Sequence, residues 1–112
     1  MANIYYYKVH NIRYMVVFMD ISDRTNNKSY IQYSTRIIYI NNTLPHIETI
    51  KHCLIHEITH SYIYETQIQL KEPYSEEDLC ELMAIYAEDI IKQANTIIKK
   101  YKKAVKNEDN KT

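Results

Sequence analysis

The stretch that decides the fold runs from residue 44 to residue 62 and reads LPHIETIKHCLIHEITHSY. Apolar side chains recur in it every three or four residues, at Ile47, Ile50, Leu54, Ile58 and Tyr62. This spacing puts side chains on one side of an α-helix, so we predict a helix here. Further apolar residues lie elsewhere around the same helix, which we therefore expect to be buried on most sides: Cys53, Ile55 and Ile63.

The same helix carries the polar group His56-Glu57-Ile58-Thr59-His60, an HExxH pattern. A buried polar group left without a partner costs about 1–3 kcal/mol, so these side chains need a partner, and a metal ion is the obvious one. His56 and His60 are four residues apart, one above the other on a helix, where two imidazoles can bind one tetrahedral zinc ion. Glu57 is offset from them, so its carboxylate can act on the attacking water as general base and acid.

Strand-like composition precedes this helix. Residues 4–9 and 12–20 are rich in Tyr, Val, Ile and Phe, and His10-Asn11 between them predicts a tight hairpin turn. After a polar break, residues 30–40 resume the same composition and predict a third strand. Because the chain contains no glycine, we expect its tight turns to use Asn and Asp, above all at Asn26-Asn27 and Asn41-Asn42.

A second long helix is predicted after Lys71-Glu72-Pro73, which interrupts the first. Ser75 resembles an N-cap, and the acidic residues that follow it suit the positive end of a helix dipole. Helical spacing continues through the apolar positions Leu79, Met83, Tyr86, Ile90, Ala94 and Ile97. We predict one domain over residues 1–105, followed by a polar, frayed tail over residues 106–112.

Composition excludes several classes of function. The 112 residues carry 14 acidic and 14 basic side chains, so net charge predicts neither nucleic acid nor a membrane surface as a partner. Without glycine, the chain has no phosphate-binding loop or dinucleotide fingerprint. Cys53 and Cys80 sit among apolar residues, and the N-terminus lacks a secretory pattern. We therefore expect reduced cysteines and a cytoplasmic protein.

A catalytic zinc site usually has a third protein ligand and one position open to water. The residues after His60 lack the glycine and third histidine of the metzincin extension, so the ligand is expected further along the chain. A glutamate from the first turns of the second helix would give the His-His-Glu arrangement of gluzincins. We choose Glu77, with Glu81 as the main alternative ligand and Glu76 as the third choice. Glu81 lies one turn after Glu77, where it could instead orient a histidine ligand.

The spacing of three segments resembles that of small phage and mobile-element zinc-peptidase-like proteins. These segments are residues 35–45, the HExxH helix at residues 54–60, and residues 77–80. The layout is also similar to the minigluzincins and, more distantly, to ImmA/IrrE-type metallopeptidase domains. The resemblance implies a minimal zincin-like α+β fold, in which a small, mostly antiparallel three-stranded sheet packs on the HExxH helix and a long glutamate helix. It further implies zinc on His56, His60 and Glu77, and a substrate-lining edge strand near residues 36–40.

The function expected from these residues is hydrolysis of a peptide bond in a peptide or protein by zinc-activated water, with Glu57 as general base. A second hypothesis is a zinc-bound domain without catalytic activity that serves as an interaction or regulatory module of a phage or mobile element. A closed fourth ligand such as Cys80 would favour that module. A third is a metal-free helix with an incidental HExxH. The sequence identifies no particular substrate and no oligomeric state.

Overall fold

The computed structural model describes residues 3–66 and 75–110, with side chains as far as residue 108. In chain order the elements are β1 (Asn3–Val9), β2 (Ile12–Met19), β3 (Ser29–Gln32), β4 (Ile37–Asn41), α1 (Ile47–Thr66) and α2 (Glu76–Asn110). The predicted α+β class is confirmed. The predicted break at residues 71–73 lies outside the described residues. Within the described ranges, neither helix is long and apolar enough to cross a membrane.

The sheet has four strands, in the order β1-β2-β4-β3, and not the three that were predicted. β1 and β2 form the expected antiparallel hairpin, β2 and β4 are parallel, and β4 and β3 are antiparallel. The single strand predicted over residues 30–40 is wrong because the chain turns between Tyr33 and Arg36, where the Arg36 N–H donates to the Tyr33 carbonyl at 3.3 Å. This turn contains no glycine or proline, so nothing in the sequence marked it.

The predicted edge strand near residues 36–40 is also misplaced, since β4 lies inside the sheet, between β2 and β3. After β2 the chain leaves room for one strand and forms β3 at the outer edge of the sheet. It then returns, and β4 pairs between β2 and β3. Ile38 and Ile40 of β4 are completely buried, which suits an interior strand. The edge strand next to α1 is therefore β3.

Three residues of the described chain have a positive φ angle: His10, Asn11 and Arg36. The first two form the predicted turn between β1 and β2. The pairs Asn26-Asn27 and Asn41-Asn42, expected at such positions, are not among them. Asn41 instead uses its side chain, whose Oδ1 accepts hydrogen bonds from the N–H and the hydroxyl of Thr43.

Both helices pack on one face of the sheet and close a single core. Side chains from the strands meet a stripe from each helix, among them Tyr14, Val16, Phe18, Ile38, Leu54, Ile58, Tyr62, Ile90, Ala94, Ile97 and Tyr101. Burying one large apolar side chain stabilises a fold by about 1.5–3 kcal/mol, so this layer supplies most of the driving force. It also fixes the rotation of α1 about its own axis.

The predicted N-cap of α2 is confirmed. The Asp78 N–H donates to Ser75 Oγ at 3.1 Å, and the Ser75 N–H donates to Asp78 Oδ2 at 3.2 Å, which is a reciprocal capping box. α2 then continues to Asn110, so residues 106–110, expected to begin the polar tail, are helical. α2 contacts α1 through Tyr62, whose hydroxyl donates to Asp89 Oδ2.

Candidate metal centre

The two histidines of the HExxH pattern converge on one point beside α1. Nε2 of His60 lies 3.2 Å from Nε2 of His56, and the rings meet edge to face. A tetrahedral zinc ion with nitrogen ligands at 2.0–2.1 Å separates two of them by about 3.3–3.4 Å. The two nitrogens therefore have the separation that one zinc ion requires.

Glu57 lies beside this pair and is almost completely buried, with 4% of its surface exposed. One of its carboxylate oxygens and a ring nitrogen from each histidine all lie within 4.8 Å of one another. Among the side chains of residues 3–66 and 75–108, no other group of His, Cys, Asp and Glu comes together in this way. The three side chains that the sequence singled out thus share one small site.

Ser29 of β3 fixes the orientation of Glu57, since its Oγ donates a hydrogen bond to Glu57 Oε2 at 2.6 Å. Hydrogen bonds to a carboxylate are stronger than those between neutral groups. This hydrogen bond therefore gives one oxygen of the buried Glu57 carboxylate a partner. No signal in the sequence identified Ser29, because the contact joins residues 28 positions apart.

An open cleft of about 700 Å³ lies over the site. We call it the site cleft. One wall is the exposed side of α1 with His56, Glu57 and His60, and the other is β3 together with the loop before it, residues 26–28. His52 and Cys53, one turn earlier on α1, line the same cleft but do not belong to the group of three. An elongated ligand can lie between the two walls.

Two further contacts tie the end of β3 to α1. Tyr33 stacks on Tyr64, with ring centroids 4.5 Å apart, and Arg36 Nε donates to Glu65 Oε2 at 2.9 Å. The Tyr14 hydroxyl donates to the same Glu65 oxygen at 2.5 Å. With Ser29 and Glu57, they fasten β3 to α1 at both of its ends. The width of the site cleft is therefore built into the fold.

Glu65 is ionised in this network. Burial acts to raise the pKa of its carboxyl, but the hydrogen bonds from Arg36 and Tyr14, with the charge of Arg36, outweigh burial and hold that pKa below its ordinary value. The side chain of Glu65 is 6% exposed. A buried carboxylate thus joins α1 to both β2 and the turn after β3.

The glutamates predicted as a third ligand lie in the first turns of α2. Glu76, Glu77 and Glu81 are all exposed, and none of them belongs to the group formed by the two histidines and Glu57. Helical periodicity places Glu77 and Glu81 on the side of α2 opposite the buried Ile90 and Ile97. The structure brings together two of the three predicted ligands, and Glu77 stays a prediction.

Both cysteines are free thiols, Cys53 buried and Cys80 exposed. Cys80 does not join the group around His56 and His60. Comparison of the chain with models of protein families, with curated proteins and with solved structures gives no match. The likeness to gluzincin-type zincins therefore stays a prediction that depends on His56, Glu57 and His60 and on the glutamates that follow them.

Proposed function

We propose that this chain is a zinc-dependent peptidase of minimal zincin-like form, with His56 and His60 as zinc ligands and Glu57 as general base. The observation that carries this proposal is the 3.2 Å approach of the two Nε2 atoms beside the buried carboxylate of Glu57. Two exposed histidines at helical spacing are common. A buried carboxylate next to them, in the wall of an open cleft, is what hydrolysis needs in addition.

When bound, zinc supplies a Lewis acid that polarises a carbonyl and makes water more acidic. Glu57 takes the proton of the attacking water and passes it to the leaving amine. Ser29 donates to Oε2 of Glu57, so this contact leaves Oε1 open for the transfer. The buried position of Glu57 keeps its carboxylate in one orientation while the proton moves.

The substrate we propose is an extended peptide segment. β3 is an edge strand, so within residues 3–66 and 75–110 its outer backbone groups pair with no other strand, and it forms one wall of the site cleft. A peptide that adds to such an edge by β-augmentation is held by main-chain hydrogen bonds and lies parallel to the wall that carries Glu57. This role, expected for residues 36–40, therefore moves to β3.

We keep Glu77 as the proposed third ligand, with Glu81 and then Glu76 as alternatives, because a catalytic zinc needs three protein ligands and one open position. A carboxylate from α2 would complete a His-His-Glu site between the two helices. We propose that the chain acts in the cytoplasm, where cysteines such as the unpaired Cys53 and Cys80 stay reduced.

A second candidate function is a zinc-bound module without catalytic activity, which binds a protein partner of a phage or mobile element. One observation favours it: in the part of the chain that the structure describes, only the two histidines and Glu57 come together as candidate ligands. Such a module needs only a bound ion, and it requires no third protein ligand that shapes an open position for water.

Zinc content and cleavage together test both functions. After exhaustive dialysis we expect one zinc per chain in wild type and little in His56→Ala or His60→Ala. His52→Ala is the matched control, since His52 lines the same cleft without joining the group, and it should keep the metal. Screened against a peptide library, wild type should cleave and Glu57→Gln should keep zinc but lose cleavage. Zinc without cleavage would select the binding module, and wild type without zinc would overturn both.

A further inference from the structure

The charges of α2 are segregated along its length. Six acidic side chains and no basic one occur in residues 76–89, and six lysines and no acidic side chain occur in residues 90–107. The dipole of a helix favours acidic residues only within its first turn. Glu81 and Glu88 lie beyond that turn, so the dipole does not explain their position.

Part of this charge falls on one line. Six exposed residues are separated in turn by four or seven positions and so lie along one side of α2: Glu77, Glu81, Glu88, Lys92, Lys99 and Lys106. We call them the charged stripe. It runs opposite the side of α2 that carries the buried Ile90, Ala94, Ile97 and Tyr101.

Within one chain the stripe offers one close pair of opposite charges, Glu88 and Lys92, four residues apart. In residues 3–66 and 75–108, the ion pair between Arg36 and Glu65 is the only one shorter than 4.0 Å. Glu77 and Glu81 are four residues apart, where like charges destabilise a helix by about 0.2–0.5 kcal/mol. Alternating charges would have stabilised α2, and the stripe instead keeps them apart. The acidic and the basic ends of the stripe are therefore both open to charges from a partner.

Large apolar side chains accompany the stripe. Ile85 is 56% exposed and Ile91 is 41% exposed, and helical periodicity places one on each side of the line of charges. Exposed large apolar side chains beside polar ones are found at surfaces that become buried in a complex. The partner must therefore offer apolar contact as well as charges of both signs.

We propose that α2 packs antiparallel against α2 of a second copy of this chain. A two-fold axis across the middle of the stripe, between Glu88 and Lys92, places the acidic half of one copy on the basic half of the other. Three acidic residues followed by three lysines make the stripe complementary to itself in this orientation alone. It covers residues 77–106, about 44 Å of helix at 1.5 Å per residue. The net charge of zero leaves no overall repulsion between copies.

The test is the mass of the full-length protein in solution, by size-exclusion chromatography with light scattering. At about 100 µM in low salt we expect twice the chain mass of 13.5 kDa. Two double variants reverse charges on the stripe: Glu81→Lys with Glu88→Lys, and Lys92→Glu with Lys99→Glu. Each should weaken the dimer at least about tenfold, because like charges then face each other. Glu77 is left unchanged because it is the proposed zinc ligand, and the zinc content of the first double variant is measured as well because Glu81 is the alternative ligand.

A mixture of the two double variants makes the test specific. Each is self-repelling but complementary to the other, so native mass spectrometry of the mixture should show a heterodimer. Lys100→Glu is the matched control on the same helix, off the stripe, and should dimerise like wild type. Circular dichroism should show that every variant is folded. A single-chain mass for wild type, or a dimer that neither double variant weakens, would overturn the proposal, whatever the zinc content.

Discussion

The hydroxyl of Ser29 on the edge strand β3 holds the carboxylate of Glu57 on α1, with 2.6 Å between the two oxygens. Strand and helix form opposite walls of the site cleft. The side chain proposed to move the proton is thus oriented by the strand proposed to bind the substrate.

Ser29→Ala should therefore impair turnover more than binding. Loss of the donor leaves a buried carboxylate oxygen without its partner and costs about 1–3 kcal/mol of stability. We expect kcat to fall, KM to change little and zinc content to stay at the wild-type level. Ser29→Thr keeps the hydroxyl and should recover most of the loss, and Ser34→Ala in the exposed turn is the control. Equal kcat in Ser29→Ala and wild type would show that Ser29 does not position Glu57.

Added zinc should stabilise the folded chain. An ion that binds the folded state raises the free energy of unfolding in proportion to the logarithm of its concentration above its dissociation constant. We expect the midpoint of thermal unfolding to rise with zinc for wild type and for His52→Ala, and to stay constant for His56→Ala. A zinc-dependent rise in His56→Ala would place the ion elsewhere.

The Tyr7 hydroxyl and Ser61 Oγ, 2.5 Å apart, form a buried pair whose two halves should differ in cost. Ser61 Oγ also donates to the Ile58 carbonyl, which leaves Tyr7 as the donor to Ser61. Ser61→Ala leaves the buried Tyr7 hydroxyl without an acceptor and should lower the free energy of unfolding by about 1–3 kcal/mol. Tyr7→Phe should lower it by about 0.5–1.5 kcal/mol. Adding Tyr7→Phe to Ser61→Ala should recover part of the stability. Urea unfolding of the two single variants and the double variant measures this, and strictly additive costs would contradict it.

Stability at acid pH should depend on Glu65. Its pKa is lower in the folded chain than in the unfolded one, so its contribution is complete above the unfolded pKa and is lost as pH falls through the folded pKa. Between about pH 5 and pH 3, the free energy of unfolding should fall more steeply in wild type than in Glu65→Gln. Glu108→Gln on α2 is the control and should leave the wild-type slope unchanged. Parallel slopes for wild type and Glu65→Gln would contradict the prediction.

Arg36→Gly tests what the turn after β3 gains from its side chain. Arg36 has a φ of 55°, a conformation that glycine adopts without the cost of a side chain. Relief of the backbone alone would stabilise the chain, but loss of the ion pair leaves the carboxylate of Glu65 without its cationic partner. We expect net destabilisation in thermal unfolding. Asn11→Gly, at a φ of 67° with no such partner, is the matched control and should be neutral or stabilising.

The sequence predicted those parts of the fold that depend on short-range patterns. Helical spacing from Ile47 to Tyr62 placed α1, the Ser75 cap placed the start of α2, and the residues around His10-Asn11 placed the first hairpin. Each signal lies within a few residues of the structure that it specifies. Local physics is enough for elements of this kind.

The predictions that were wrong concern features of the fold that depend on long-range packing. The turn from Tyr33 to Arg36 has no glycine or proline, and the side chain at its left-handed position, Arg36, contacts Glu65, 29 positions away. The parallel pairing of β2 and β4 follows from the path of the chain around β3, which no periodicity reveals. The same holds for the site. The HExxH pattern predicted His56, Glu57 and His60, whereas no pattern in the sequence predicted the role of Ser29.

The spacing of the two histidines separates metal capture from the rest of the site. His56 and His60 need only one turn of α1 to meet, whereas Glu57 is held by a strand 28 positions earlier. A chain whose sheet has melted while this turn persists still offers both imidazoles, and the ion itself favours that turn. The approach of the two imidazoles thus depends on one turn of helix, whereas the orientation of Glu57 depends on the completed fold.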